Sequence, residues 1–174
     1  GPSAPSRGML AEILSIDADD ILGAPFGTQN ISCGIPFLLV PLRTVKAVTR
    51  ARVRMEKWEP TLKSSWAPEV FVFAKDLEGG DSHYRARMFA PGLNVPEDPA
   101  TGSANACFAG YLAARAPLRD GTLAWTVDQG IEMGALQRGH FGELDADDHG
   151  VRALSAVADV AVENDALTTS TGFE

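Results

Sequence analysis

The sequence predicts an α+β domain in which a curled, mostly antiparallel or mixed sheet wraps around one central apolar helix at about residues 103–115. Short apolar segments with high β-propensity recur along the chain, as at 36–42 and 70–74. Within 104–114, Asn105 is the one strongly polar residue. A helix that is apolar all round is enclosed by the protein, so we expect the strands to cover it on several sides.

The first half of the chain alternates helical and extended segments. Residues 9–23 open as a helix, with Asp17 as the N-cap of a short second helix over 18–22. A turn-rich loop is predicted at 27–34, and the proline-bounded apolar run 36–42 predicts a buried strand. Thr44 is the expected cap of a helix over 44–52, and 70–74 is a strand. These elements supply the first part of the sheet and its outer helices.

The second half carries the central helix between further strands. A turn at 78–82 precedes a strand at 84–89, which places Tyr84, Ala86 and Met88 on one face and the two arginines at 85 and 87 on the other. A loop over 90–101 leads into the apolar helix. Strands follow at 123–127, 130–134, 141–144 and 151–162, with a polar turn at 145–150. We assign residues 9–163 to the domain, 1–8 to a leader or flexible tail, and 164–174 to a flexible tail.

Composition excludes several classes of function. The chain has 174 residues and a net charge of −8, which argues against a nucleic-acid interface and against docking on anionic lipid. No apolar run approaches the length of a membrane span. Cys33 and Cys107 lie far apart in the sequence, so we expect no disulfide framework and a cytoplasmic location. His83, His140 and His149 lack metal-ligand spacing, and no glycine loop suited to phosphate is present, so neither metal nor cofactor is expected.

The segment 97–104, Glu-Asp-Pro-Ala-Thr-Gly-Ser-Ala, is the strongest candidate for a site. Asp98 lies just ahead of the helix N-terminus, where the helix dipole favours its ionised form. Pro96 and Pro99 restrict the backbone on either side of it. A positioned carboxylate is a candidate general base. Gly102 permits close approach of a ligand or backbone, and Ser103 either caps the helix or contacts a substrate. From these residue types alone, a turn that only caps the helix is the competing interpretation.

Three segments resemble the phenazine biosynthesis PhzF-like family in their order and spacing. They are 87–91 (Arg-Met-Phe-Ala-Pro), 97–104, and 129–134 (Gln-Gly-Ile-Glu-Met-Gly), and 32–42 is similar to the segment that opens that family's second half. The resemblance implies the diaminopimelate-epimerase fold, with two similar lobes, each a sheet around a central helix, and an active site between them. It also implies cofactor-free isomerisation or epimerisation, by proton transfer, of a small carboxylate-bearing metabolite.

The resemblance carries site roles onto particular residues. Asp98 resembles the family's active-site aspartate and Ser103 its substrate-contacting serine. Gly102, Thr101 and Glu97 are the accompanying substrate-binding candidates. Arg85 and Arg87 flank the motif more loosely.

The chain resembles the second, C-terminal lobe of the family alone. The resemblance places the principal acid/base, a glutamate, in the first lobe, and no matching motif occurs here. Glu97 is a poor substitute because adjacent residues of an extended segment point in opposite directions. We therefore expect the chain to be active with a complementary first lobe supplied in trans. Its expected protein partner is that lobe or a second copy of the chain in a homodimer. The alternative is a non-catalytic subunit for small-molecule binding or assembly, derived from the same lobe.

Overall fold

The structure, a computed structural model, describes the backbone of residues 1–77, 84–115, 121–134, 137–147 and 150–162, and the side chains within 1–77, 84–115 and 125–134. Its helices are α1 (Arg7–Leu14), α2 (Val45–Arg50), α3 (Met55–Thr61) and α4 (Gly102–Ala113). Its strands are β1 (Gln29–Ser32), β2 (Pro36–Pro41), β3 (Glu69–Lys75), β4 (Tyr84–Ala90), β5 (Val95–Asp98), β6 (Gly121–Gln129), β7 (Gln137–Asp147) and β8 (Gly150–Val162). Single 3-10 turns occur at Ala18–Asp20, Pro91–Leu93 and Ile131–Met133.

The described strands form one mixed sheet that curls around α4. Their order is β1-β2-β3-β4-β6-β7-β8, and β5 pairs with β4 beside this path. The β2–β3 and β4–β6 pairs are parallel, and the other pairs are antiparallel. Helix α4 contacts β1 and β8, which stand at opposite ends of this order, as well as β2 and β7. The predicted α+β lobe with a curled mixed sheet around an apolar helix is confirmed.

Helices cover both faces of the sheet, because alternate residues of each strand point to opposite sides. In β3, Phe71 and Phe73 pack in the core beneath α4, whereas Val70 and Val72 pack in a second core with α1, α2 and α3. Both sets are buried, which is why β3 is a continuous apolar run. The β4 alternation is confirmed in the same way, since Met88 joins the α4 core and Phe89 the opposite core.

Helix α4 is held in place by aromatic packing. The ring of Phe108 lies 4.5 Å from that of Phe73 and 5.0 Å from that of Tyr84, measured between centroids. Tyr111 is fully buried, and its hydroxyl donates a hydrogen bond to the carbonyl of Gly27 at 3.0 Å. Such tilted and edge-on aromatic contacts add to the free energy of burial. The helix begins one residue before its predicted start and ends at Ala113, two residues before its predicted end.

Several predicted boundaries are wrong. The predicted loop 27–34 contains β1, whose register comes from pairing with β2, and the predicted loop 90–101 contains β5, which pairs with β4. Neither short strand has an apolar alternation of its own, so both depend on tertiary pairing. Residues 130–134 form a 3-10 turn rather than a strand, because Gly130 and Gly134 adopt φ values of 81° and 72°. Helix α3 was not predicted.

The opening helix is shorter than predicted. It starts at Arg7 with Ser6 as its N-cap, and it stops at Leu14 because Ser15 is left-handed, with φ 58°. Asp17 is the N-cap of a 3-10 turn, as predicted for a short second element. Residues ahead of α1, assigned from the sequence to a leader or tail, touch the lobe. The carbonyl of Pro2 accepts a hydrogen bond from Asn30 Nδ2 at 3.1 Å.

Some predictions lie outside the described residues. They are the turn at 78–82 and the tail at 164–174. The predicted turn 145–150 is partly described, and there β7 continues to Asp147. Within the ranges described, no helix has both the length and the apolar character needed to cross a bilayer.

Candidate active site

Strand pairing brings two distant segments to the N-terminus of α4. Strand β5 ends at Asp98, which pairs with Met88 of β4, and β6 ends at Gln129, which pairs with Ala86 of the same strand. Thr101 is the N-cap of α4. The end of β6 and the Asp-Pro-Ala-Thr turn therefore meet over the first turn of the helix.

A connected set of hydrogen bonds holds the Asp98 carboxylate. Thr101 Oγ1 donates to Asp98 Oδ2 at 2.6 Å, and the Ala100 N–H approaches Asp98 Oδ1 at 3.4 Å. Gln129 Nε2 donates to the Asp98 carbonyl at 2.8 Å and to Thr101 Oγ1 at 3.0 Å. Asn105 Nδ2 donates to Gln129 Oε1 at 3.1 Å and to the Thr101 carbonyl at 2.9 Å. Three of these side chains are buried, so the arrangement is fixed by packing as well as by polar contacts.

The first turn of α4 has no side-chain cap. Thr101 makes no capping bond to the helix, because its hydroxyl is directed to Asp98 instead. The first N–H groups of a helix have no intrahelical acceptor and carry the positive end of the dipole. Gly102 is exposed, and apart from its chain neighbours and its own helix no described atom lies within 4 Å of the position that a Cβ would occupy there. Ser103 is half-buried at the second helical position. Within the described part of the chain, the turn therefore offers unfilled donors and open space, which disfavours the interpretation as a cap alone.

Glu97 points away from Asp98, as the extended geometry predicts. Its two carboxylate oxygens accept from Arg87 Nε at 2.7 Å and Arg87 Nη2 at 2.8 Å. The remaining Arg87 nitrogen, Nη1, donates to the carbonyls of Val48, Thr49 and Ala51 at the end of α2. Arg87 is 3% exposed, so this bidentate pair ties β5 and β4 to the helical layer.

A second acidic side chain lies beside this ion pair. Glu132, in the turn after β6, accepts from Arg85 at 3.1 Å and from Thr49 Oγ1 at 3.2 Å. Glu97, Glu132 and Arg87 line one side of a cavity of about 640 Å³. The segment 129–134 therefore makes contacts on both faces of the sheet. Gln129 contacts Asp98 on one face, and Glu132 contacts Arg85 and Arg87 on the other.

The structure brings some of the predicted site residues together and separates others. Asp98, Thr101, Gly102 and Ser103 cluster at the N-terminus of α4, whereas Glu97 lies on the opposite face of β5 in contact with Arg87.

Sequence reasoning assigned no role to two residues of the site, Gln129 and Asn105. Gln129 begins the third family-like segment, and Asn105 is the one strongly polar residue of the apolar helix. Those two signals are sufficient to find them.

The two cysteines are neighbours in space despite their separation in sequence. Cys107 is buried, as predicted, with its Sγ 3.7 Å from the carbonyl of Ile31 and 4.0 Å from that of Ile35. Burial, with a smaller contribution from the adjacent Cys33 thiol, raises the pKa of Cys107 to about 12. Cys33 is exposed, and both thiols are free. Among the described residues, no group of three or more His, Cys, Asp or Glu side chains is arranged to hold a metal ion.

The fold and the site together define a class: an α+β lobe that presents an aspartate and an uncapped helix N-terminus at one end of its sheet. The phenazine biosynthesis-like protein family, PhzC-PhzF, matches residues 1–158. The chain belongs to this family.

Curated relatives share part of the chain. An uncharacterized isomerase of Mesorhizobium japonicum is 34% identical over 110 residues, which are 62% of this chain and 36% of the relative. An uncharacterized isomerase of Clostridium acetobutylicum is 28% identical over 103 residues, covering 59% of this chain and 34% of the relative. The chain thus spans about a third of the length of these relatives in the matched regions.

A solved structure shows the same fold. The PhzF-family phenazine biosynthesis protein of Bacillus anthracis superposes with a TM-score of 0.72 at 21% identity, over 85% of this chain and 50% of that one. This similarity places the lobe within the PhzF fold and covers half of the Bacillus protein.

Proposed function

We propose that this chain forms one lobe of an isomerase active site, at which a proton is transferred without a cofactor on a small carboxylate-bearing metabolite. The observation that carries the proposal is the Asp98 carboxylate, held by Thr101 beside an uncapped helix N-terminus with open space over Gly102. Family membership and the description of the curated relatives as isomerases support it.

In this proposal each part of the site has a separate role. Asp98 exchanges a proton with the carbon next to the substrate carboxylate, as general base and then as general acid. The carboxylate binds at the first turn of α4, where the Gly102 and Ser103 N–H groups and the Ser103 hydroxyl supply donors. Negative charge that develops on the carboxylate as the proton leaves is stabilised by the same donors.

We further propose that a complementary lobe completes the site. Moving a proton from one position to another is helped by a second acid/base. Glu97 is unsuited to that role because both of its oxygens are bound by Arg87. The second group then comes from a first lobe, in the same polypeptide or as a separate chain, or from another copy of this chain in a homodimer.

The test is solvent-hydrogen exchange in deuterium oxide. The chain is combined with a complementary first lobe, or assayed alone, with a panel of small carboxylates. Deuterium incorporation is expected, and Asp98→Asn should lower its rate by about 100- to 10,000-fold. Asp19→Asn, at an exposed acid outside the motif, is the control and should match the wild type.

Two outcomes would count against the enzyme. Equal exchange by Asp98→Asn and the wild type would remove Asp98 from the mechanism. Carboxylate binding without exchange in any combination would favour the alternative of a non-catalytic binding subunit.

A further inference from the structure

The directions of the hydrogen bonds around Asp98 are fixed by two backbone carbonyls. The Asp98 carbonyl can only accept, so the Gln129 atom 2.8 Å from it must be the amide nitrogen. Gln129 Oε1 then points to Asn105, whose Nδ2 also donates to the Thr101 carbonyl at 2.9 Å. The two amide orientations therefore confirm each other.

This arrangement decides where the Thr101 hydroxyl proton lies. The second Gln129 Nε2 proton points to Thr101 Oγ1 at 3.0 Å, which makes that oxygen an acceptor. Its own proton is then directed to Asp98 Oδ2 at 2.6 Å. Oδ2 is thus occupied by a short bond, whereas among the described residues Oδ1 has only the 3.4 Å approach of the Ala100 N–H. The two carboxylate oxygens differ, and Oδ1 is the more available one.

We infer that Thr101 and Gln129 are positioning residues that present Asp98 Oδ1 as the proton-accepting atom, an assignment that rests on the proposed function. In the step, the substrate C–H bond breaks and its proton forms an O–H bond on Oδ1. The electron pair of the broken bond remains on the substrate next to its carboxylate. On return, the O–H bond breaks and the proton goes back to carbon.

Thr101 then has a different role from the one expected from the sequence. The sequence marked it as a substrate-binding residue, but its hydroxyl already donates one bond and accepts another. Thr101 is also only 7% exposed. It therefore acts through Asp98 and does not contact the substrate through its hydroxyl.

The kinetic test uses the exchange-competent protein and separates kcat from KM. Thr101→Val removes the hydroxyl at nearly constant shape, and it should lower kcat by about 10- to 100-fold with KM little changed, because the carboxylate loses its fixed orientation. Gln129→Glu replaces the amide donor with an acceptor that draws the Thr101 proton away from Asp98, and its kcat should fall similarly. Thr101→Ser keeps the hydroxyl and should restore kcat to near the wild-type value.

Two kinetic results would overturn the inference. One is a Thr101→Val protein with wild-type kcat. The other is a raised KM with unchanged kcat, which would make Thr101 a binding residue after all.

A measurement on the chain alone keeps this inference distinct from the proposed function. The hydroxyl proton of Thr101 should give a slowly exchanging NMR resonance with a cross-peak to the Gln129 side-chain amide, and Thr101→Val should remove this resonance, which assigns it to the hydroxyl. Absence of the resonance in the wild type overturns the inference even if exchange on substrate is observed. Presence of the resonance without any substrate exchange overturns the proposed function, and with it the catalytic use of Oδ1, while the hydrogen-bond direction stands.

Discussion

Gly102→Ala separates the stability of the lobe from its capacity to bind an anion. Gly102 is the first residue of α4, it is exposed, and a Cβ there would meet no described atom outside its own helix and chain neighbours within 4 Å. Alanine is a better helix former than glycine by up to about 1 kcal/mol, so the variant should be as stable as the wild type or slightly more so. The melting temperature should then rise by up to about 2–4 °C.

The same methyl group should weaken carboxylate binding. Cα–Cβ bonds in a helix tilt toward its N-terminus, so the added methyl lies beside the first-turn N–H groups. Losing one hydrogen bond to a charged ligand costs about 1.5–3 kcal/mol. That free energy corresponds to an increase in Kd of about 10- to 100-fold.

The matched control is Gly110→Ala. Gly110 lies in the same helix, is exposed, and also has no described atom outside its helix and chain neighbours within 4 Å of an added Cβ, but it is two turns away from the N-terminus. It should gain similar stability and bind carboxylates as the wild type does. Calorimetric titration with the carboxylates used in the exchange assay measures both variants. Wild-type affinity in a folded Gly102→Ala protein would refute the placement of the anion site at this turn.

Three further predictions concern the rest of the lobe. Arg87→Met leaves the partly buried Glu97 without its partner and should cost about 3–5 kcal/mol in urea unfolding; a loss below about 1 kcal/mol, typical of a surface pair, would contradict the anchoring role. Burial raises the pKa of Glu69, so the native state binds the extra proton and loses stability as pH rises above the unfolded-state pKa. The free energy of unfolding of Glu69→Gln, relative to that of the wild type, should therefore be higher at pH 7 than at about pH 3.5. Equal differences at the two pH values would contradict this prediction. At pH 8, iodoacetamide should modify the exposed Cys33 while the native Cys107, with its pKa raised to about 12, stays unmodified on mass spectrometry; rapid labelling of both would contradict the described burial.

Much of the lobe could be predicted because local signals and tertiary structure agree there. The apolar run of β3, the alternation of β4 and the all-round apolar surface of α4 each record burial directly in the sequence. β1 and β5 were missed because their short polar segments become strands only by pairing with β2 and β4. The hydrogen-bond partners of these two strands are distant in sequence or set by a turn, so no local periodicity indicates a strand there.

The candidate site divides in the same way. The sequence by itself determined that Asp98, Gly102 and Ser103 lie at the N-terminus of an apolar helix, because residue type and spacing suffice for that inference. Only the tertiary structure decided that Glu97 forms an ion pair with Arg87. The partner of a side chain on either face of β5 depends on which strands and helices pack against that face. The tertiary structure also decided that Gln129 reaches Asp98, because β5 and β6 both pair with β4 and so bring together two residues that lie 31 positions apart in the chain.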